Sequence, residues 1–251
     1  MNLLGVTLDN FSKKEVLKKI STFLDSDGQY KIFTPNPEML VDVQKDFYFR
    51  EVLNEGDLNI ADGFGLSLVS FGKISRFPGV DLMKEMLSMA EQKKRSVYFL
   101  GSGREEIIKN LKSKIKNQFP DLTIIGAHPG YEVDTLKVDG KVELRLDKEK
   151  NNELIADIAM QAPDILFVAF GHGKQEKWIH EYLRDLPSVK IAMGVGGSFD
   201  FLSENKKRAP KWMRYVGLEW LHRLMREPHR FKRIWKATAV FLGLVLFKRS
   251  S

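Results

Sequence analysis

A chain of 251 residues that is 43% apolar and 11% aromatic can bury one large core, or a core plus a smaller appendage, and its composition excludes a disordered chain. The absence of cysteine excludes disulfides and thiolate-ligated metals and suits a reducing compartment. The net charge of +7 is unevenly spread: Glu204 to Ser251 hold 13 basic and 3 acidic side chains, and the remainder 27 and 30, so the tail is suited to an anionic partner, nucleic acid or an acidic membrane surface.

The opening segment MNLLGVTLDNFSKKEVLKK lacks a basic stretch followed by a long apolar run. No signal peptide is therefore expected, and the protein is assigned to the cytoplasm. Strands are expected at 30–35, 57–62, 96–102, 122–128, 164–171 and 189–196, with helices at 37–54, 80–94, 104–118, 148–161 and 174–185. Continuous apolar strands alternating with amphipathic helices predict an α/β fold: a Rossmann-like, mostly parallel sheet covered on both faces. Alternating residues around Asp139-Gly140 predict a β-hairpin insertion at 131–147. Beyond Ser203 no strand follows. Residues 209–226 and 229–247 read as helices broken at Pro228, which divides the chain into an α/β domain (1–203) and a helical appendage (204–251).

Ligands of an open parallel sheet gather at the carboxyl ends of its strands. The first strand ends in Thr34-Pro35-Asn36-Pro37-Glu38, which serves either as a helix cap or as a set of hydrogen-bonding groups above the sheet. The second ends in Ala61-Asp62-Gly63-Phe64-Gly65, a carboxylate followed by glycines, suited to a general base. In FLGSGREEI (99–107) the backbone around Gly101 and Gly103 can hold a phosphate, but the third glycine and the ribose acid of an NAD site are missing. In FGHGKQEKW (170–178), Lys174 and Gln175 lie at a helix start, where phosphate or sugar hydroxyls are favoured. His172 and His180 are too far apart in sequence to pair on a metal through adjacent helical turns, and Asp25-Ser26-Asp27 reads as a turn; no metal site is expected. Without a G-x-S-x-G elbow or a cysteine, the set of base, amides, hydroxyls and arginines suits transfer to a hydroxyl acceptor with a diphosphate leaving group.

TPNPE (34–38), ADGFG (61–65), RFPGVDLM (76–83), KQEKW (174–178), GVGGSFDFLS (194–203) and RAPKWMRYVGLEWLHRL (208–224) occur in the order found in the WecG/TagA/CpsF family, which the chain resembles over roughly residues 3–235. The resemblance implies an inverting, metal-independent glycosyltransferase without cofactor, closest to the teichoic-acid branch. It would move N-acetylmannosamine from a UDP-sugar donor to undecaprenyl-diphosphate-linked N-acetylglucosamine at the inner membrane face. It makes Asp62 the base, with Thr34 and Asn36 beside it. Gln175, Lys174, Arg76, Asp81, Gly101 and Gly103 are the expected substrate contacts, and Arg223, Arg230 and Arg233 the diphosphate contacts. Gly173 stands where the family usually has proline, and Ser203-Glu204-Asn205 where it usually has a glycine.

Arg223, Arg226, Arg230 and Arg233 share one face of a helical path. Trp220, Leu221, Leu224, Trp235, Phe241 and Leu242 supply apolar surface for a lipid interface. The run 237–247 is too short to span a bilayer, so a peripheral protein is expected. Other sugars (a uronic acid or glucose) are alternatives of the same fold. A nucleic-acid-binding module with a basic arm, or an NAD-linked oxidoreductase, are alternatives of another class. The sequence is silent on oligomeric state.

Overall fold

A computed structural model describes residues 1–138 and 141–250. The chain starts with a small antiparallel pair, β1 (Asn2–Leu3) and β2 (Val6–Thr7), and then α1 (Lys13–Asp25). Ser12 and Glu15 close a capping box at the start of α1, and Val16, Ile20 and Leu24 form its buried stripe. The expected helix at 37–54 is two helices, α2 (Pro37–Asp42) and α3 (Phe47–Asn54), after β3 (Tyr30–Phe33). The break falls where Asp46 turns its carboxylate onto the Phe49 N–H and caps α3.

Next come β4 (Leu58–Asn59), the short α4 (Phe64–Val69), α5 (Gly79–Gln92), β5 (Ser96–Gly101), α6 (Glu105–Gln118) and β6 (Thr123–His128). The insertion is an antiparallel ribbon, β7 (Asp134–Val138) and β8 (Lys141–Arg145), paired from Asp134↔Arg145 to Val138↔Lys141. Its expected Asp139-Gly140 turn lies outside the described residues. The domain continues with α7 (Lys148–Gln161), β9 (Ile165–Ala169), α8 (Lys174–Tyr182), β10 (Ile191–Gly194) and α9 (Ser198–Leu202).

Six parallel strands form the main sheet in the order β4-β3-β10-β9-β5-β6. Every residue of β9 and β10 is buried, as expected for central strands covered on both faces. Two apolar clusters, one on each face, complete the core: Phe49, Leu100 and Trp178 belong to one, Ile32, Phe99 and Phe199 to the other. The neighbours β3 and β10, and β9 and β5, are far apart in sequence, so the loops after them leave the sheet in different directions and open a crevice at its carboxyl edge.

α8 joins that edge to the hairpin. Lys174 Nζ donates to the Val133 carbonyl at 2.6 Å, and the buried Lys177 donates to the Val142 carbonyl and pairs with Asp46 at 2.7 Å. A lysine without solvent is stable only with such partners. Lys177→Ala leaves the buried Asp46 carboxylate uncompensated, and a loss of about 3–5 kcal/mol is expected by denaturant unfolding.

The tail comprises α10 (Lys211–Tyr215), α11 (Glu219–Arg226), α12 (Phe231–Trp235) and α13 (Phe241–Ser250), with a 3₁₀ turn at Pro228–Arg230 and a π-helical turn at Lys236–Val240. The expected single helix at 209–226 is interrupted at Gly217, whose φ of 80° ends α10 and which lies against the Phe64 ring. Phe241, expected at a lipid interface, is instead fully buried beside Gly65 in the core cluster with Val245. Its ring lies in van der Waals reach of Gly65 on α4, with Pro37 closer still on the same glycine. Trp220, Trp235 and Leu242 remain exposed, while Leu221 and Leu224 are half-buried. Among the described residues no helix is long and apolar enough to cross a membrane.

Candidate active site

A cleft of about 730 Å³ lies between the carboxyl edge of the sheet and the tail. Thr34 and Asn36 line it from β3, Asp62 from β4, Ser102 from β5, His172 and Gln175 from β9 and α8, and Ser198 from α9; Arg223, Arg226, Arg230 and Arg233 line it from the tail. The sequence separates these groups by up to two hundred residues. The sheet brings them together because every strand points its carboxyl end the same way.

Asp62 is held from two sides. Its N–H donates to the Pro35 carbonyl at 2.8 Å, and its Oδ2 accepts from the Gly79 N–H at 3.3 Å. A Cβ on Gly79 would stand 3.1 Å from Thr34 Oγ1 and 3.6 Å from Asp62 Oδ2, so both groups converge on the bare start of α5. Burial pushes the Asp62 carboxyl above the ordinary carboxylate range; the Arg223 guanidinium, the Gly79 N–H and Arg76 pull against that shift, and Glu219 adds to it. A carboxyl poised in this way takes a proton more readily than a solvated aspartate.

Asn36 fills the capping role that its sequence allowed: its Oδ1 accepts from the Met39 N–H at 3.1 Å while the side chain borders the cleft. Gln175 is buried, with Oε1 accepting from the Gly196 N–H at 2.9 Å and Nε2 donating to Glu176 at 2.8 Å. Glu176 in turn accepts from the Gly173 N–H, and burial raises its carboxyl pKa.

Some expected contacts lie elsewhere. Lys174 reaches the Val133 carbonyl at the base of the hairpin and does not line the cleft. Asp81 does not line it either, but holds Arg208, which does, at 2.6 Å. Arg76 donates to the Arg214 carbonyl and reaches the site only through its field on Asp62. Gly101 is required for packing: at φ +108° a Cβ would meet the Ala169 backbone at 2.7 Å. Gly103, at φ +70°, shapes the turn, and Ser102 between them faces the cleft in the left-handed region at φ 88°.

The tail arginines meet carboxylates before any ligand arrives. Arg223 pairs with Glu219 at 3.1 Å, Arg230 with Glu227, and Arg233 is bidentate on Glu38 at 3.0 and 2.9 Å. Glu219 also stands 3.6 Å from Arg208. Arg208 and Arg223 line the cleft, and each keeps a buried Nε–H without a protein acceptor. Glu219 and Glu227 were legible as i,i+4 and i,i+3 partners of Arg223 and Arg230. Ser198 was signalled only by the glycines Gly196 and Gly197 that precede it. Arg208, Arg223, Arg226, Arg230 and Arg233 all border the cleft, although Arg226 and Arg233 remain exposed.

Glu38, Asp42 and His172 bring ligand atoms within 4.8 Å of one another, a spacing compatible with a metal. Arg233 already neutralises Glu38, and Lys236 reaches Asp42 at 2.7 Å and Glu38 at 3.7 Å. His172 Nε2 completes the cluster 2.8 Å from Asp42. This group fastens α12 to α2, with the cationic place already taken by tail side chains.

Comparison with known proteins fits this geometry. The model of the glycosyl transferase WecG/TagA/CpsF family matches residues 1–251. The N-acetylglucosaminyldiphosphoundecaprenol N-acetyl-beta-D-mannosaminyltransferase of Bacillus spizizenii is 34% identical over 235 residues, covering 92% of this chain and 84% of the relative. Its counterpart in Bacillus subtilis strain 168 is 36% identical over 207 residues, 81% of this chain and 74% of the relative. That of Staphylococcus aureus strain MW2 is 28% identical over 248 residues, covering 96% and 90%. A cleft with a poised aspartate under a canopy of arginines and a family match along the whole chain lead to one conclusion: the protein belongs to the WecG/TagA/CpsF family of glycosyltransferases.

Proposed function

We propose that this chain transfers N-acetylmannosamine from a UDP-linked donor to N-acetylglucosamine carried on undecaprenyl diphosphate, with inversion, without a metal, and docked on the inner face of the membrane. The observation that carries the reading is Asp62: a carboxyl raised by burial, at a strand end, facing guanidinium groups that retain unused N–H donors. The acceptor hydroxyl oxygen attacks the anomeric carbon as Asp62 takes its proton. The bond to the UDP oxygen breaks, and its electron pair leaves on the diphosphate. Arg208 and Arg223 offer N–H groups to the oxygens on which that charge gathers, with Arg226, Arg230 and Arg233 adding positive potential. Thr34 holds its hydroxyl beside Asp62, and Gln175 steadies the glycine loop after β10.

The names of the relatives support this donor sugar and this acceptor. The test is UDP release from UDP-N-acetylmannosamine, its uronic acid and UDP-glucose, using a short-chain prenyl-diphosphate N-acetylglucosamine as acceptor. Turnover is expected to be fastest with UDP-N-acetylmannosamine, and equal or faster turnover with UDP-glucose rejects the sugar assignment. Addition of EDTA is expected to leave the rate within about twofold, because arginines rather than a cation neutralise the leaving group; strong inhibition argues for a metal.

A further inference from the structure

α4 begins two residues after Asp62, and its outer face is apolar. Phe64 and Leu68, one helical turn apart, are both exposed, Leu68 by 57%, and Phe71 follows at 81%. This face does not stand alone. The Phe64 ring packs on Gly217 at the end of α10, and Arg76, just beyond α4, is bonded to the Arg214 carbonyl of α10. The exposed Trp212, Tyr215 and Val216 of the tail thus continue the same surface. Apolar side chains left on the surface in a contiguous group mark a place where something else docks.

The charge around this surface selects the occupant. Residues 63–76 contain Lys73 and Arg76 and no acidic side chain; residues 205–218 contain five basic side chains and again no acidic one, Lys206 and Arg208 being paired with Glu227 and Asp81 and leaving Lys207, Lys211 and Arg214 in excess. Aromatic and leucine side chains bordered by a net excess of cations suit the boundary between anionic headgroups and acyl chains.

We propose that α4 is a membrane-docking element of the catalytic domain itself, entering an anionic lipid surface beside α10. The inference builds on the lipid-linked acceptor of the reading above and adds a consequence. Asp62 and α4 are joined by Gly63 alone, so seating α4 in the interface fixes the height of the base above the bilayer. An acceptor whose diphosphate is tethered at the headgroups then meets the base at a set distance. Membrane contact positions the reacting carboxylate directly, in addition to any contribution from the tail.

The chain has no cysteine, so single-site labelling of the full-length protein is direct. Leu68→Cys carrying an environment-sensitive fluorophore is expected to shift to the blue on adding vesicles of phosphatidylglycerol and phosphatidylethanolamine. The same label at Lys109→Cys on α6, which leads to the opposite edge strand of the sheet, is expected not to shift. Leu68→Glu is expected to weaken vesicle cosedimentation about tenfold or more, while turnover of the short-chain acceptor in solution is unchanged. A label at Leu68→Cys that stays in water while the protein is vesicle-bound overturns the proposal. So does a wild type that does not bind these vesicles. Sedimentation velocity covers the rival occupant: a dimer that Leu68→Glu dissociates without changing vesicle binding would mean that α4 docks on a second copy. Should Leu68→Glu fail to fold, the label alone decides. The vesicle measurements need no substrate, so a wild type that is inactive on every UDP-sugar strikes the functional reading and leaves the docking result standing.

Discussion

Asp62→Asn is expected to lower transfer by about a hundred- to ten-thousand-fold while leaving donor binding close to wild type. The amide keeps the shape of the carboxyl and can still accept from the Gly79 N–H, but it cannot take a proton. Surviving turnover within about tenfold of wild type would remove Asp62 as the base. The same substitution carries a stability expectation of opposite sign. Burial raises the Asp62 pKa in the folded state. Its contribution to stability is therefore fully present below the unfolded carboxylate range and is lost as pH rises through the raised value. At neutral pH the ionised side chain is a burden to the fold, so Asp62→Asn is expected to melt at or above the wild-type temperature. A clearly lower midpoint at pH 7, recovered at acidic pH, would show that the carboxylate is instead stabilised where it stands.

On the proposed role of Arg223 as a diphosphate contact, Arg223→Ala is expected to cost about a hundred- to a thousand-fold in kcat, because such a donor acts mainly as charge develops on the leaving group. Its second signature is in the pH profile. Arg223 is the foremost group holding the Asp62 pKa down, and Glu219, its partner, pushes that pKa up. Removing the arginine and leaving Glu219 therefore moves the acidic limb of kcat/KM to higher pH. Arg223→Lys is expected to return the limb most of the way while recovering kcat only in part, since an ammonium supplies charge without the planar fork. A lowered kcat with an unmoved limb would make Arg223 a diphosphate contact that has no hold on the base.

Truncation is a blunter probe than the charge asymmetry suggests. The sequence reads as an α/β domain with a detachable tail, and removal of 204–251 would be expected to abolish transfer and spare the fold. Phe241 and Val245, however, are buried in the same cluster as Leu66 and Val69 of α4. Their loss uncovers apolar surface next to the base, so a truncated protein confounds a missing arginine with a loosened α4. Point substitutions separate the two.

Much of the scaffold was visible in one dimension. Buried parallel strands must be continuously apolar, and ILFVA and IAMG announce themselves by that alone; the helices between them carry their stripe at the helical period. Asp62 was legible as a carboxylate closing the strand expected over 57–62, and it stands three residues beyond the end of β4. The exceptions share a cause. Helix ends such as the break at Asp46 depend on which hydrogen bond a side chain finds, and the strand expected over 57–62 keeps regular pairing only at Leu58–Asn59.

Composition and pattern by themselves thus determined the α/β class, the strand-end location of Asp62 and the arginine-rich character of the tail, because each is a property of local sequence and hydrophobic period. Tertiary structure alone decided the pairings. It turned Lys174 away to the Val133 carbonyl, joined Arg233 to Glu38 across 195 positions, and buried Phe241 against Gly65 while leaving Leu68 in solvent. A charge or a phenyl ring has no period in the sequence that says which distant neighbour will share its space; only the folded packing and the cost of leaving a buried group unpaired make that choice.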